Sequence, residues 1–409
     1  MNIAIVGGGI AGLALALNLH KHGIDCHVYE VAPEIKALGV GITLLPHAMR
    51  ELTALGLQDA LRAVAIENKE SCFFNRFGQL IYREPRGKYA GYPYPEFGIH
   101  RGRLHLVLYE AVRATPGDAR VTTNRRCVGL EQDNDGVSIR FEETTTGKAL
   151  EPVHADLAIA CDGVNSAVRR VFYPQEQLCF TGINTWRGVT RLKPIFDGRT
   201  YVRIGSIKTA KMVIYPIIDN IDGDGRQLIN WVAEVTSPTQ SRNDWNKPGK
   251  LEDFYSYYEK WTFDWLDVPA MMRNADTILE YPMVDKDPVE RWTFGRVTLA
   301  GDAAHPMYPR GSNGAAQALI DVRVLADFLA EWKNPLEALE AYETARLETT
   351  SEVVRTNRAT PPDFIMDKVQ TLTGDKPFKN LDDFITQQEL REISKQYQRV
   401  AGFRVEDVR

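Results

Sequence analysis

Near its start the chain sets Gly7, Gly9 and Gly12 directly after an almost wholly apolar run, Asn2-Ile-Ala-Ile-Val6, and before a stretch dense in alanine and leucine, Ala11 to His22. A short apolar run that stops at glycines suits a strand buried on both faces of a parallel sheet. The G-x-G-x-x-G spacing then gives each glycine a task. The first makes the tight turn, the second lets backbone approach a pyrophosphate, and the third lets the next helix pack close to the strand. The helix start offers free N–H groups and a partial positive charge to the phosphates. Gly23 ends the helix, and Cys26-His-Val-Tyr-Glu30 reads as a second strand whose last residue comes eighteen residues after Gly12. A carboxylate in that place accepts from ribose hydroxyls. These residues read as one βαβ unit for the adenosine-diphosphate half of a dinucleotide, NAD and FAD being indistinguishable at this point.

Two further loops follow apolar strands. Leu157-Ala-Ile-Ala-Cys161 leads into Asp162-Gly163-Val164-Asn165-Ser166-Ala167-Val168-Arg169. Alone, Asp162-Gly163 is a turn signal and nothing more. Arg296-Val-Thr-Leu-Ala300 leads into Gly301-Asp302-Ala303-Ala304-His305-Pro306, then Pro309-Arg310-Gly311-Ser312-Asn313-Gly314, then a long apolar helix to Trp332. An aspartate at a strand end can accept from sugar-like hydroxyls, and Gly311 and Gly314 let backbone N–H groups close on a ligand at the helix start. A simple helix cap also explains the turn, but it leaves Asp302, well before the helix, without a purpose. With no second G-x-G-x-x-G, one dinucleotide is held firmly.

Between these loops the texture changes. Residues 44–66 read as helical with an interruption at Gly56, 71–100 as short strands with long turns, and Arg101–Val112 as a helix. From about 175 to 290, alternating segments at 200–204, 211–217 and 227–235 with many aromatics read as a mostly antiparallel sheet inserted into the nucleotide unit. The tail from 336 is helical in composition, with breaks at Pro361-Pro362 and Gly374.

Composition excludes several classes. A net charge of −5 leaves no basic footprint for nucleic acid. Five scattered cysteines (Cys26, Cys72, Cys127, Cys161, Cys179) without a C-x-x-C pair point to neither a disulfide framework nor a metal site. The interrupted N-terminal apolar stretch lacks a signal-peptide pattern, and no run of eighteen apolar residues exists to span a membrane. A cytoplasmic protein is expected, as a monomer or a homodimer.

Taken together, the three motifs resemble the class A flavoprotein aromatic hydroxylases, the para-hydroxybenzoate and salicylate hydroxylase type, over Met1 to about residue 358. Leu38-Gly-Val-Gly-Ile42, Ile99-His-Arg-Gly102, Thr185-Trp-Arg-Gly-Val189, Asn230-Trp-Val232 and Tyr281-Pro-Met-Val-Asp-Lys-Asp-Pro288 most resemble its 5-methylphenazine-1-carboxylate 1-monooxygenase subgroup. The resemblance implies an α/β (α+β) architecture. A discontinuous Rossmann-like FAD-binding domain (1–70, 98–174, 291–358) would carry an inserted mostly antiparallel substrate-binding sheet (71–97, 175–290) and a helical C-terminal tail (359–409). It implies tightly but non-covalently bound FAD, held by Gly7, Gly9, Ala11, Gly12, Glu30, Gly41, Arg101, Asp162, Gly163, Gly301, Asp302 and Gly314. NADPH or NADH would be the reductant and O2 the oxidant.

The implied activity is hydroxylation of a small acidic, phenolic or heterocyclic aromatic compound, with or without decarboxylation, through a flavin 4a-hydroperoxide. Pro309 would sit over the flavin face with Gly311 beside it. His305 is read as shaping its loop rather than as an acid or base. Candidate substrate contacts are Trp186, Tyr215, Trp231, Tyr281, Met283 and Arg310; aromatics on alternating strands are as readily core. Arg310 stands where the family usually has an uncharged residue, so it could favour an acidic substrate, tune the flavin, or point to solvent. A flavin oxidase or dehydrogenase without oxygen transfer, and a non-catalytic FAD-binding protein, remain alternatives.

Overall fold

The computed structural model describes residues 1–115, 121–238, 247–359 and 362–408. The strand Ile3–Val6 is buried along its whole length, and hydrophobic residues with no polar face need neighbours on both sides. It pairs in parallel with Cys26–Tyr29 on one side and Leu157–Ala160 on the other, and Leu157–Ala160 pairs in parallel with Val297–Leu299. Val121–Thr122 and an antiparallel Thr293–Phe294 complete six strands. The helices Ile10–Lys21 and Gly314–Glu331 pack against each other, and Leu13, Leu319 and Val322 join Ile3 and Ile5 in one core.

The region expected to be helical over 44–66 is more broken. A strand Gly41–Leu44 precedes the helices Pro46–Ala54 and Gln58–Arg62, and a strand Ala65–Glu67 follows. Both strands flank Phe97–His100 in a three-stranded sheet. Their period-two patterns are too short to stand out beside helical neighbours.

The second large sheet runs Ala275–Asp285, Cys179–Leu192, Gln227–Thr236, Ala210–Ile218, Thr200–Ser206, Glu70–Phe74 and Leu80–Pro85 in spatial order. All its pairings are antiparallel except Thr200–Ser206 with Glu70–Phe74. Alternation gives it two unlike faces. One carries Trp186, Trp231, Ile204, Met212 and Ile214, sealed by Phe254, Tyr258 and Met271. The other carries Arg187, Val189, Asn230, Tyr215 and Lys211, with Val189 and Tyr215 both directly opposite Asn230. This second face meets the first unit. Asn230 Oδ1 accepts from the Gly41 N–H at 2.7 Å, and a Cβ on Gly98 would lie 2.4 Å from the Pro216 carbonyl.

The tail is helical over Phe364–Leu372 and Gln387–Val400, after a helix Pro335–Ala359. Of the expected breaks, Pro361 lies outside the described residues, and Gly374 follows the end of Phe364–Leu372. Ile365, Met366, Val369, Leu381, Ile385 and Leu390 cover Phe73, Ile81 and Tyr82 at the sheet edge. Asp363 ties the tail down by ion pairs to Lys211 and, at 3.3 Å, to Arg203; Lys211 also pairs with Glu234 at 2.7 Å. Among the described residues no helix is long and apolar enough to cross a membrane.

Burial pushes the Asp363 carboxyl up, but the Lys211 and Arg203 charges outweigh it and hold the group below the carboxylate range. A depressed folded value stabilises the fold above the unfolded carboxylate value and ceases to do so as pH falls through the folded value. Asp363→Asn leaves two buried cations under-compensated and is expected to cost about 3 kcal/mol at pH 7. Denaturant midpoints should show that the wild-type advantage shrinks below about pH 4. A constant difference at all pH values would contradict this account of the tail's anchor.

Candidate active site

Because the strands are parallel and in register, Val6, Ala160 and Leu299 end at the same edge of the sheet. All three loops therefore start side by side, where ligands of open parallel sheets bind. At Gly7 the backbone turns with φ +105°, and a Cβ there would lie 2.4 Å from the Cys161 carbonyl, so the first and second loops touch main chain to main chain. A Cβ on Gly12 would lie 1.9 Å from the Gly7 oxygen, which fixes the helix against the strand. A Cβ on Gly9 would meet nothing within 4 Å; this glycine faces open space. The helix Ile10–Lys21 has no side-chain cap, so its first N–H groups stay free for an anion.

Glu30 stands beside this loop. Its Oε2 accepts from the Gly8 N–H at 2.6 Å and its Oε1 from the Ala32 N–H at 2.7 Å. Each oxygen keeps lone-pair capacity for a hydroxyl. From the helix Arg101–Ala114, His105 Nε2 donates to the Gly8 carbonyl at 2.6 Å. Arg101 opens that helix, exposed, and its charge acts on both Asp302 and Tyr281.

In the second loop Asp162 Oδ2 accepts from the N–H groups of Ala167 and Val168, while its Oδ1 is buried with no protein partner. Burial pushes this carboxyl up against the pull of Ser166 and those N–H groups. Gly163 has open space where a side chain would stand. In the third loop Gly301 lies against the start of the first helix, a Cβ there falling 3.2 Å from that of Ala11. Asp302 is open to solvent at its surface yet crowded by protein atoms around it. That crowding pushes its carboxyl above the ordinary range despite His305 and Arg101 nearby.

Two buried arginines brace this third loop: Arg169, which closes the second motif, and Arg346, which did not stand out in the sequence. Arg169, fully buried, donates from Nη1 to the Ala303 carbonyl at 2.9 Å and from Nε to Glu176 at 2.8 Å. Arg346 donates from Nε to Asp321 Oδ1 at 2.8 Å. Asp321 Oδ2 takes the Gly301 N–H at 3.1 Å and binds His305 Nε2, which gives that histidine a structural partner. The available signal was an aspartate set within the apolar run Ala-Leu-Ile-Asp321-Val-Arg-Val-Leu, where a charge needs a buried partner.

The helix Gly314–Glu331 also begins without a side-chain cap, because Asn313 is engaged elsewhere. Its Oδ1 meets His47 Nε2 at 2.9 Å and its Nδ2 donates to the Tyr397 hydroxyl at 3.0 Å. Burial lowers the fully buried His47 to about 3, so that ring is neutral. Tyr397 comes from the tail. A Cβ on Gly311, where φ is +78°, would lie 2.0 Å from its hydroxyl, so glycine is needed twice over. Gly314 stands near the Asp302 carboxylate, 3.9 Å from an added Cβ. Pro309 is exposed. Arg310 is only partly open, and its charge acts on Lys211 and Asp363, so it turns toward the sheet rather than toward bulk solvent.

On the substrate side the candidates separate. Tyr215 and Tyr281 lie on the sheet face that meets the first unit, Tyr215 packing with Val40 and Val189. Met283 packs with Ile183 and Tyr308, beside Pro309. Trp186 and Trp231 do not come to this site. They lie on the opposite face, Trp186 stacked on Phe254 at 4.8 Å and Trp231 donating to Thr190 at 3.0 Å. Strand alternation decides this, since each sits one position away from a site-facing neighbour.

The donors and acceptors assembled at this edge fit FAD. Two uncapped helix starts and Arg101 suit its pyrophosphate, and Glu30, Asp302 and the unpartnered Asp162 Oδ1 suit its sugar and ribityl hydroxyls. A family model described as an FAD binding domain matches residues 1–199 and 267–357. The phenazine 1,6-dicarboxylic acid hydroxylase PhzS of Lysobacter antibioticus is 40% identical over 362 residues, 87% of this chain and 89% of that protein. A 3-hydroxybenzoate 6-hydroxylase of Polaromonas naphthalenivorans is 30% identical over 368 residues, 87% of this chain and 86% of that protein. The structure of Klebsiella pneumoniae HpxO with FAD and uric acid superposes with a TM-score of 0.74, covering 100% of this chain and 96% of that one. At 22% identity this speaks for the fold alone.

Asp321→Asn keeps volume but removes the charge that holds Arg346, His305 and Gly301. The expected cost is about 3–5 kcal/mol, with most of the bound flavin lost on purification. Flavin absorbance per protein and a thermal melt check this. Full flavin content with an unchanged melt would contradict the bracing role.

Proposed function

This chain belongs to the FAD binding domain family and is an FAD-dependent aromatic-ring monooxygenase of class A; from that premise we propose that it hydroxylates a small aromatic acid. The ring would be held between the Tyr215–Tyr281 face of the large sheet and the Pro309–Gly311 loop. The observation that carries this reading is the single edge at which all three loops start, faced by a sheet surface bearing two phenols and partly open arginines. Relatives named for a phenazine dicarboxylic acid, an aminohydroxybenzoate and a hydroxybenzoate support the substrate class. We read residues 1–70, 98–174 and 291–358 as the FAD-binding unit, 71–97 and 175–290 as the substrate sheet, and 359–409 as the tail.

Bound FAD, reduced by NAD(P)H, would supply the activation of O2, one atom of which goes to the ring and the other to water. The chain's own groups do the positioning. Glu30, the glycine loop and Arg101 hold the nucleotide, and Asp162 and Asp302 take its hydroxyls. Gly163 and Gly314 leave the room it needs, whereas the space at Gly41 is taken by Asn230 and that at Gly301 by Ala11 and Ala318. Burial raises the Tyr215 and Tyr281 phenols, against the opposing pull of nearby arginines. Both remain protonated near neutrality and donate hydrogen bonds to an anionic substrate. Met283 and the loop around Pro309 and Gly311 would keep water from the reacting ring.

The purified protein should be yellow, and the rate at which NADPH or NADH bleaches it without oxygen should rise when an aromatic acid is added. Turnover under oxygen-18 gas should give a product heavier by one labelled oxygen. Peroxide equal to the reductant consumed, with no labelled product from any aromatic acid, would instead identify an oxidase.

A further inference from the structure

We propose that the Tyr397 hydroxyl is the template on which the turn 309–312 beside the flavin is folded, so that the C-terminal tail belongs to the oxygen-transfer site. This rests on the hydroxylase reading above and adds a positioning residue to it. Two successive residues of the turn are left-handed, Gly311 at φ +78° and Ser312 at φ +58°. Serine carries a Cβ, so its left-handed backbone is strained and persists only where the surroundings over-determine it. Those surroundings are buried polar groups from three other elements. The Tyr397 hydroxyl, on Gln387–Val400, accepts from Asn313 Nδ2 at 3.0 Å and reaches the Arg310 carbonyl at 3.3 Å. It therefore brackets the left-handed pair from both sides, with Gly311 pressed against it. Asn357, on Pro335–Ala359, accepts from the same hydroxyl at 2.8 Å and donates to the Tyr308 carbonyl at 3.3 Å. His47, on Pro46–Ala54, meets Asn313 Oδ1 at 2.9 Å.

The grip is one-sided. Tyr397, Asn357, Asn313 and His47 are buried, whereas Pro309 is exposed and Arg310, Gly311 and Ser312 are partly open. Gly314, which follows, stands beside Asp302, so the turn adjoins the cofactor edge. The hold also settles Asn313. An asparagine ahead of a helix ordinarily folds its side chain back onto the first N–H groups. Here Oδ1 is taken by His47 and Nδ2 by Tyr397, and the start of Gly314–Glu331 stays uncapped for the cofactor. Without the hydroxyl, the Arg310 carbonyl, Asn313 Nδ2 and Asn357 Oδ1 all lose a buried partner, and the left-handed turn loses its template. A turn that wanders admits water to the reacting ring. O2 then leaves with the two electrons of NADPH and two protons as hydrogen peroxide, and the ring is not hydroxylated.

Tyr397→Phe, which keeps the ring, is compared with wild type, Tyr92→Phe and Ser394→Ala. The last two loosen the same tail without touching the turn, since Tyr92 donates to the Phe403 carbonyl at 2.6 Å and Ser394 to Glu84. Four readings are taken: hydrogen exchange of amides 310–314, Kd for FAD on the stripped protein, peroxide released per NADPH, and a thermal melt. The rings added are phenazine-1,6-dicarboxylic acid and 3-hydroxybenzoic acid. Tyr397→Phe should speed exchange across 310–314 and raise the peroxide share. It should weaken FAD about 10-fold, the upper end for one uncharged hydrogen bond. The other two variants should lower the melt and leave those three readings at wild-type values. If they match Tyr397→Phe in all readings, the tail is a plain support and the inference is overturned. A lowered melt in Tyr397→Phe with unchanged exchange and FAD Kd overturns it too. If Tyr397→Phe is not recovered folded, Asn357→Ser, which withdraws the hydroxyl's acceptor and the hold on Tyr308, decides by the same readings. Wild type that turns all its NADPH into peroxide with both acids would tell against the hydroxylase reading, whereas exchange and FAD Kd judge Tyr397 without it.

Discussion

Parallel pairing of three strands that are far apart in sequence governs the rest of this molecule. Ile3–Val6, Leu157–Ala160 and Val297–Leu299 are short, and by themselves they would form nothing stable. In register they deliver the glycine loop, the Asp162 loop and the Asp302 loop to one edge. The main-chain contact of Gly7 with Cys161 makes the first two loops a single surface. Everything proposed about the cofactor depends on that alignment. A one-residue slip would put Val6 opposite Ile159 or Cys161 and turn its side chain to the other face of the sheet.

Holding such an edge open requires stiffness behind it. The third loop buries Ala303 and Ala304 in the core, and charges buried under it fix its geometry. Arg169 grips the Ala303 carbonyl, and Arg346 grips the aspartate that takes the Gly301 N–H and the His305 ring. Buried ion pairs add little net stability, because desolvation offsets the attraction, but they fix geometry and punish its loss. The tail works in the same way from the other side. Tyr397 fills the hollow at Gly311 and joins Asn313 and Asn357, while Asp363 locks onto Lys211. The segment that resembled nothing in the sequence thus shapes the loop that carries Pro309 and Arg310.

The glycine loop, the three strand–loop units and the inserted sheet were legible because each rests on local rules: buried strands are apolar, glycines sit where backbone crowds, and strands alternate. What was not legible depends on partners. Trp186 and Trp231 attract notice as aromatics, yet strand parity turns them into the core against Phe254, while the neighbour Arg187 turns toward the site. No rule read along one strand tells which face of the sheet meets the first unit; contacts such as Gly41–Asn230, 189 residues apart, show which it is. Asp321, Arg346 and Tyr397 are ordinary residues in helical stretches until the fold brings them under the loops. The short strands Gly41–Leu44 and Ala65–Glu67 were lost among helical neighbours for the same reason, since their ladder partner lies at Phe97–His100.

The central claim is that three loops close around one FAD. Hydrogen–deuterium exchange on the flavin-stripped protein, titrated with FAD, tests it most directly. Backbone amides in 7–12, 162–168 and 301–314 should slow together, all saturating at one equivalent of FAD. Protection confined to 7–12, with the other two segments exchanging as before, would contradict the account.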